Sequence, residues 1–310
     1  LDGKSEHDRL RNPMSDLLRS LGWDPFFENQ LSDVEKQNSC TARIVEPLRG
    51  LSRAICAAGE IWAEHTEKSA TGEKTREAVP SIGDWVVGSL RDIGEEKRLR
   101  IHRVLNRKNK LSRAAPGGKS YEQILCTNVD SAFLIVAVTQ NLNLLAVGRY
   151  IEILNESKIP PVILVTKVDG ENSETETIAS LREIAPELPL HALSVQDGRG
   201  LDALTPYFSD NKTVVLLGSS GAGKSTLVNH LLGTDSQRVQ SVRQGDQKGR
   251  HTTTGRRLHL LPGGGMVIDS PGIREIQKWE EPTESVDFKK KARSHKSSRR
   301  PRFTQEDEDY

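Results

Sequence analysis

Short runs of alternating hydrophobic and polar residues fill the chain between residues 41 and 112, and clusters of Gly, Glu and Lys separate them. Alternation with a period of two is the pattern of a strand that has one buried face. Several short strands of this kind in succession predict a small antiparallel barrel. The runs cover residues 42–45, 54–55, 60–63, 84–87 and 98–105.

Beyond residue 118 the pattern changes to continuous apolar runs that alternate with helix-like segments. Continuous apolar runs are typical of strands buried on both faces. Strands that alternate with helices predict an α/β fold with a mostly parallel sheet and helices on both faces. The last two strands, joined by a Pro-Gly-Gly turn, predict a hairpin at one edge of the sheet. The predicted strands are 129–138, 161–165, 190–193, 213–217, 257–261 and 265–268, and the predicted helices are 144–157, 174–184 and 201–207.

The two ends of the chain differ from these regions. Residues 1–40 are polar apart from a short amphipathic helix predicted over 17–23 and an apolar plug at 26–27, so we expect an arm that packs on the next domain. Residues 289–300 are basic and residues 306–309 acidic, and neither segment can bury a core, so we expect disorder there. The predicted organisation is an arm at 1–40, a barrel at 41–113, an α/β domain at 114–280 that begins with a linker at 114–118, and a tail at 281–310.

Composition limits the class of protein. The 310 residues suffice for about two domains, and no apolar run is long enough to cross a bilayer, so we expect a soluble protein without a membrane partner. The first residues lack the apolar centre of a signal peptide, although the chain does not begin with Met and a removed extension stays open. Cys40, Cys56 and Cys126 have no C-x-x-C spacing, which favours free thiols in the reducing cytoplasm.

The most informative motif is G-x-x-x-x-G-K-S, which runs from Gly218 to Ser225. A β-branched strand precedes it and a helix-forming run follows it, the context in which loop and helix N–H groups cradle phosphates. We expect Lys224 to reach the β- and γ-phosphates and Ser225 to ligate Mg²⁺. A glycine turn that binds nothing would leave the Lys-Ser pair unexplained. The predicted nucleotide contacts in this motif are Gly218, Ser219, Ser220, Gly221, Ala222, Gly223, Lys224, Ser225 and Thr226.

Selection of guanine is predicted from Thr166-Lys-Val-Asp169, which follows a strand at the carboxyl edge of the predicted sheet. The Asp169 carboxylate can accept two N–H bonds from the Watson–Crick edge of guanine, a pattern that adenine does not offer. The stem of Lys167 would cover the base plane, and the backbone at Ser194 would meet the guanine carbonyl. Alone, the four-residue string favours a surface loop, but its place one βα unit before Ser194 favours the nucleotide site.

Asp269-Ser-Pro-Gly272 has the form D-x-x-G and follows a short strand. We expect Asp269 to hold Mg²⁺ through water and the Gly272 N–H to sense the γ-phosphate, although the same residues also suit a plain turn. Between this motif and the phosphate loop, residues 249–255 carry His251 and three threonines. One of these threonines would be the second side-chain ligand of Mg²⁺ in a switch loop, and Thr253 is favoured over its two neighbours.

The order of the motifs differs from that of Ras-like GTPases, because the base-reading motif and Ser194 precede the phosphate loop. In this order the chain resembles the circularly permuted, ribosome-small-subunit-dependent GTPases of bacteria over about residues 21–275. Further matches are LGWDPFF at 21–27, PSIGDWV at 80–86 and LPGGG at 261–265. The resemblance implies an OB-fold barrel before a permuted GTPase domain, GTP and GDP as ligands, and a role in late maturation of the small ribosomal subunit.

The chain departs from this family at three places. The family usually has Asn at the position of Thr166, so an amide contact to the base is lost, and it usually has Ala at the position of Val195. It also carries a C-terminal zinc-binding domain with clustered Cys and His ligands, whereas no Cys follows Cys126 here. We therefore expect no zinc site in this chain.

Hydrolysis requires a group that positions the attacking water. Ras-like enzymes use a Gln directly after D-x-x-G, but this chain has Ile273, which cannot orient water. Catalysis then depends on Lys224, Mg²⁺ and backbone donors, with His251 as the candidate that places the water. The family resemblance also points to this His, and a merely solvated side chain is the alternative. We expect slow turnover alone and faster turnover with small subunits.

Although the net charge is only +1, cations cluster at the end of the barrel and predict contact with the RNA phosphates of the small subunit. A solvated surface is the alternative reading of such a cluster. The cations are Lys97, Arg98, Arg100, Arg103, Arg107, Lys108, Lys110, Arg113 and Lys119. Three functions stay open: a ribosome-dependent GTPase, a nucleotide-gated RNA-binding protein with vestigial hydrolysis, and an ATP-using P-loop enzyme. We expect a monomer.

Overall fold

Three short helices lie in the region of the predicted arm. The structure is a computed structural model, and it describes residues 13–48, 50–65, 79–94, 96–115, 119–138, 142–167, 171–219, 221–233 and 256–269. The helices are α1 (Pro13–Ser20), α2 (Pro25–Glu28) and α3 (Asp33–Asn38). Each of the last two begins at a side-chain cap, because Asp24 accepts the N–H of Phe26 and Ser32 forms a capping box with Glu35.

Five strands follow and close into a barrel, as the alternating runs predict. They are β1 (Cys40–Pro47), β2 (Leu51–Cys56), β3 (Gly59–Glu64), β4 (Trp85–Ile93) and β5 (Glu96–Val104), in the order β1-β2-β3-β5-β4. One detail of the prediction is wrong: β3 and β5 pair in parallel, while the other pairs are antiparallel. The parallel pair arises because β4 separates the two strands in sequence but not in space. A five-stranded closed barrel of this kind is the OB-fold arrangement.

Two paired strands flank the stretch expected to be a linker. β6 (Lys110–Ala115) and β7 (Lys119–Thr127) pair antiparallel, and the expected domain boundary at residue 113 falls inside β6. The hairpin forms because Leu111, Leu125 and Cys126 are fully buried in the main hydrophobic core. The hairpin strands on either side of the expected linker are therefore part of the core, and residues 116–118 lie outside the described residues.

The remaining elements form the predicted α/β sheet. In chain order they are β8 (Ser131–Ala137), α4 (Leu144–Glu156), β9 (Pro161–Thr166), α5 (Glu171–Ile184), β10 (Leu190–Ala192), 3₁₀ helices at Leu201–Tyr207 and Ser209–Asn211, β11 (Thr213–Gly218), α6 (Lys224–Leu231), β12 (Arg257–Leu260) and β13 (Met266–Asp269). The strand order is β10-β9-β8-β11-β13-β12. All neighbours are parallel except β12 and β13, which form the predicted edge hairpin.

Both faces of the sheet are covered. Residues of β8, β9 and β11 alternate between two hydrophobic clusters, because successive strand residues point to opposite faces. One cluster includes Leu154 of α4 and Leu181 of α5, and the other includes Leu227 and Val228 of α6. Among the described helices, none has the length and apolar character needed to span a membrane. The predicted tail at 281–310 lies outside the described residues.

A buried arginine joins the barrel to the sheet. Arg43 of β1 is 2% exposed, and its guanidinium donates to the carbonyls of Leu21 and Asn128 and, at 2.9 Å, to the hydroxyl of Thr213. Burial lowers the pKa of Arg43 to about 10, well above neutral pH, so the group keeps its charge. Because Thr213 is the first residue of β11, the barrel is anchored to the strand that leads into the phosphate loop.

Candidate functional site

The G-x-x-x-x-G-K-S motif lies between a central strand and a helix. β11 has β8 and β13 as neighbours and ends at Gly218, and α6 begins at Lys224. The residue before α6, Gly223, has left-handed backbone geometry, and among the described residues no side chain caps this helix. The first N–H groups of α6 therefore point out of the carboxyl edge of the sheet without a side-chain acceptor, as an anion site requires.

Besides Gly223, two more glycines of the loop are required by the backbone. Gly218 has a φ of 139°, and a Cβ there would lie 2.4 Å from the carbonyl oxygen of Ile135 on β8. Gly221 has a φ of 78°, in the left-handed region that side chains disfavour, although a Cβ there would meet no atom within 4 Å. The first glycine is thus needed for close packing against β8 and the second for the direction of the chain.

Lys224 lies over the loop. Its ammonium donates to the carbonyl oxygens of Gly218, at 2.7 Å, and of Ser219. The cation is therefore held within the turn formed by the loop backbone. A charge in this position attracts phosphate oxygens, and contact of Lys224 with the β- and γ-phosphates stays a prediction.

The end of β9 contacts the phosphate loop through Thr166. This residue is 4% exposed, and its hydroxyl donates to the carbonyl oxygen of Ala222 at 2.8 Å. Thr166 belongs to the motif that is predicted to bind the base, and in the structure its hydroxyl contacts the phosphate loop. Lys167 follows with a φ of 61°, so the backbone turns sharply at the start of the predicted base-reading motif.

Ser194 lies in a tight loop after β10. Its N–H donates to the carbonyl of Arg199 at 3.0 Å. The pKa of Asp197 is lowered, first by the N–H of Arg199 and then by the hydroxyl of Ser194, both of which donate to its carboxylate. A Cβ at Gly200 would lie 2.3 Å from the carbonyl oxygen of Ala192, so the loop closes directly on the end of the strand.

The ionic partner of this loop was not predictable from the motifs. Arg199 forms a salt bridge with Glu174 of α5 at 3.2 Å. This pair connects the Ser194 loop to the helix that follows the base-reading motif. A D-G-R-G string indicates a turn, but no local pattern in the sequence indicates its partner on α5.

Two of the predicted magnesium ligands lie at the carboxyl edge of neighbouring strands. Ser225 is the second residue of α6 and is exposed, and Asp269 is the last residue of β13, which pairs with β11. Their hydroxyl and carboxylate oxygens are the ligand types that Mg²⁺ prefers. Within the described ranges, no group of three or more His, Cys, Asp or Glu side chains could hold a metal ion.

The structure therefore brings together one part of the predicted site. The described members are Thr166, Lys167, Ser194, Gly218, Ser219, Gly221, Ala222, Gly223, Lys224, Ser225, Thr226 and Asp269. They lie at the ends of β9, β11 and β13, in the loop after β10, and at the start of α6. The predicted contacts Asp169, Ser220, His251, Thr253 and Gly272 lie outside the described residues.

Comparison with known proteins agrees with this geometry. The sequence profile of the RsgA GTPase family matches residues 104–279. A small ribosomal subunit biogenesis GTPase RsgA from Opitutus terrae is 39% identical, over 84% of this chain and 73% of its own length. A second protein of that description, RsgA 2 from Vibrio vulnificus, is 36% identical over 84% of this chain and 70% of its own length.

Solved structures show the same fold. The crystal structure of YjeQ from Thermotoga maritima aligns with a TM-score of 0.55 at 22% identity, over 77% of each chain. YloQ, described as a circularly permuted GTPase, aligns with a TM-score of 0.53 at 23% identity, over 77% of this chain and 74% of its own. The barrel followed by a sheet with permuted motif order is therefore a fold already seen in crystals.

Proposed function

This chain belongs to the RsgA GTPase family, and we propose from that membership that it hydrolyses GTP to GDP and phosphate as a maturation factor of the small ribosomal subunit. The observation that supports this best is the buried hydrogen bond between Thr166 and Ala222, which joins segments 56 residues apart. One segment is the strand end before the base-reading motif, and the other is the phosphate loop. Because the two segments are in contact, the residues that bind the base and those that bind the phosphates can hold the same nucleotide.

In this proposal one set of residues binds the phosphates of the nucleotide and a second set binds its base. Lys224 and the N–H groups of the loop bind the phosphates, and the Gly272 N–H senses the terminal phosphate. Asp169 selects guanine by accepting two N–H bonds, Lys167 covers the base, and the backbone at Ser194 meets the guanine carbonyl. GTP and GDP are thus the expected ligands, and ATP is excluded by the Asp169 carboxylate.

The oxygen ligands also fit Mg²⁺. Ser225 and Thr253 would supply hydroxyl oxygens and Asp269 a carboxylate that acts through water. When bound, Mg²⁺ neutralises negative charge on the β- and γ-phosphate oxygens. We propose that His251 positions the attacking water, because Ile273 cannot.

The proposal is tested by multiple-turnover phosphate release from GTP with and without purified small ribosomal subunits. We expect release to be slow alone and several-fold faster with subunits, and to be abolished by Lys224→Ala. Lys212→Ala is the matched control, because Lys212 is exposed before the opposite end of the same strand and should leave release unchanged. Equal rates with and without subunits would contradict the ribosome-dependent activity, and a single turnover would favour a nucleotide-gated RNA-binding protein.

Ion pairs reduce the number of predicted cations that are available to contact rRNA. Several of the predicted cations are engaged with carboxylates in the described part of the chain. These pairs are Arg98–Glu64, Arg103–Glu35, Arg107–Asp84, Lys108–Asp24 and Lys110–Glu122. Lys97 and Arg100, by contrast, are exposed on β5 and form no ion pair among the described residues. We therefore propose that β5 presents the phosphate contacts to rRNA.

Arg100→Glu tests this assignment. We expect it to weaken binding to the small subunit several-fold and to reduce the salt slope of binding by about one, since one phosphate contact is lost. Lys36→Glu, an exposed charge reversal on α3, is the matched control. Equal losses in the two variants would mean that only net charge matters. We propose a monomer in the cytoplasm, where the subunits are made.

A further inference from the structure

Arg199 connects the loop that carries Ser194 to helix α5. Within this loop, the Ser194 N–H donates to the Arg199 carbonyl, and the Arg199 N–H donates to Oδ1 of Asp197, each at 3.0 Å. The backbone of Arg199 is therefore part of the hydrogen bonds that close the loop. Its guanidinium reaches the helix, where it donates to Oε2 of Glu174 at 3.2 Å.

Glu174 is held in place by the packing of its helix. At helical spacing on the same face of α5, Thr177 is 6% exposed and Leu181 is fully buried in the core. The Glu174 side chain is itself only 19% exposed, whereas the side chain of Arg199 is 51% exposed. The carboxylate is thus a fixed point on a packed helix, and the arginine holds the loop to it.

The ion pair links the two segments that are predicted to contact the base. Up to Leu193 these segments are paired strands, and the Leu193 N–H donates to the Val165 carbonyl at 2.9 Å. Beyond that bond, the first segment turns at Lys167, which has a φ of 61°, and α5 is its next element. The second segment forms the Ser194 loop. The spacing between the two is therefore set both by the bond between the strands and by the ion pair.

We propose that Arg199 and Glu174 form a positioning pair for recognition of the carbonyl oxygen on C6 of guanine. This inference rests on the proposed function, in which the backbone at Ser194 meets that oxygen. A hydrogen bond from a backbone N–H requires the loop to lie within about 3 Å of its acceptor and in the right direction. By fixing the loop to α5, the pair sets this distance, and both side chains act through the loop rather than on the nucleotide.

The exposure of Arg199 limits the expected effect. An ion pair with a half-exposed member is screened by water and contributes little free energy by itself. We therefore expect loss of the pair to raise the Kd for GDP by roughly two- to fivefold at low salt. The difference should become smaller at about 1 M salt, where the Debye length is about 3 Å.

The experiment compares GDP with 6-thio-GDP, in which sulfur replaces the carbonyl oxygen on C6 while the N–H groups of the base are kept. Competition against a fluorescent GDP analogue gives both Kd values for the full chain and for Arg199→Met, which keeps an aliphatic stem. We expect the wild type to prefer GDP, because sulfur is a larger and weaker acceptor. Arg199→Met should reduce this preference roughly two- to fivefold, since it weakens GDP more than 6-thio-GDP. A merely structural role would weaken both ligands equally.

Further variants test whether the two side chains act as a pair. Glu174→Gln should reduce the preference as Arg199→Met does. The double variant should be no weaker than either single variant, because the same interaction is lost only once. Glu176→Gln, which removes an exposed carboxylate from the same helix, is the matched control and should leave both Kd values unchanged. Urea unfolding of each variant checks that the fold is retained.

The results separate this inference from the proposed function. Equal losses for GDP and 6-thio-GDP in Arg199→Met, additive losses in the double variant, or a wild type that binds the two ligands equally would overturn the positioning role. A wild type without preference for GDP over ADP would instead contradict the guanine nucleotide site itself, and the positioning role with it.

Discussion

The hydrogen bond between Thr166 and the carbonyl of Ala222 makes a quantitative prediction about nucleotide affinity. Thr166→Val replaces the hydroxyl with a methyl group of nearly the same size, so the packing of β9 is retained. The carbonyl of Ala222, which now accepts at 2.8 Å from a residue that is 4% exposed, loses this donor in the variant. A buried acceptor left without its partner costs about 1–3 kcal/mol.

That cost converts directly to affinity if the bond holds the loop in its binding geometry. About 1–3 kcal/mol corresponds to roughly a 5- to 150-fold increase in the Kd for GDP, since 1.4 kcal/mol is tenfold. GTP and GDP should weaken together, because both use the loop. The preference for guanine over adenine should persist, because that preference depends on Asp169.

The assay is titration with a fluorescent GDP analogue, accompanied by urea unfolding of the nucleotide-free protein. Thr166→Ser is the matched control, since it keeps the hydroxyl and should bind within about threefold of the wild type. If Thr166→Val binds GDP as tightly as the wild type and unfolds at the same urea concentration, the bond does not organise the loop. If only stability falls, the bond supports the fold and not the site.

Three further predictions follow from single contacts. Gly200→Ala should lower the free energy of unfolding in urea by more than about 2 kcal/mol, because the added Cβ would lie 2.3 Å from a carbonyl oxygen. Gly198→Ala, where the Cβ would meet open space, should lower it by only about 1 kcal/mol. Equal losses in the two variants would contradict the steric argument. Arg43→Met should cost roughly 3 kcal/mol in the same assay, since two carbonyls and a hydroxyl lose a charged donor; a neutral result would mean that water replaces the guanidinium. The salt bridge with Arg103 is the main cause that lowers the pKa of Glu35 from 4.5 to about 2, so its stabilisation is complete above pH 4.5 and disappears as the pH falls toward 2. Glu35→Gln should therefore unfold less than about 1 kcal/mol more easily at neutral pH and match the wild type near pH 2, and a difference that persists in acid would exclude this carboxylate.

Local patterns predict the elements of the site well. The strand and helix around Gly218 and Lys224 are encoded in adjacent residues, so their type and order are confirmed, and the edge hairpin at 257–268 is confirmed for the same reason. The order of the motifs also determines that the sheet is permuted, because each motif follows its own strand. Periodicity and turn chemistry act within about ten residues, and these features all lie within that range.

Contacts between distant residues are not predictable in this way. The sequence does not indicate which polar group the hydroxyl of Thr166 would contact. Its partner, the carbonyl of Ala222, is 56 residues away and comes close only when the sheet is packed. Arg43 lies in an alternating strand whose outer face is expected to be solvated, yet the sheet covers that face and buries the charge. The parallel pairing of β3 with β5 likewise depends on how β4 and β5 are placed in the closed barrel, and the sequence of either strand alone does not indicate it.

The magnitudes of two contacts indicate how the barrel is held to the nucleotide-binding sheet. Arg257, the first residue of β12, forms salt bridges with Glu46 and Glu60 on the barrel, but its side chain is 41% exposed, and exposed pairs contribute about 1 kcal/mol or less. Arg43 is buried and donates to acceptors on the arm, on the segment before β8 and at the start of β11. Of these two arginines, Arg43 must therefore contribute more to the attachment, and Arg257→Ala should leave the two parts joined where Arg43→Met loosens them. Limited proteolysis of the two variants distinguishes the contributions, and faster cleavage between the barrel and the sheet in Arg257→Ala than in Arg43→Met would reverse this ranking.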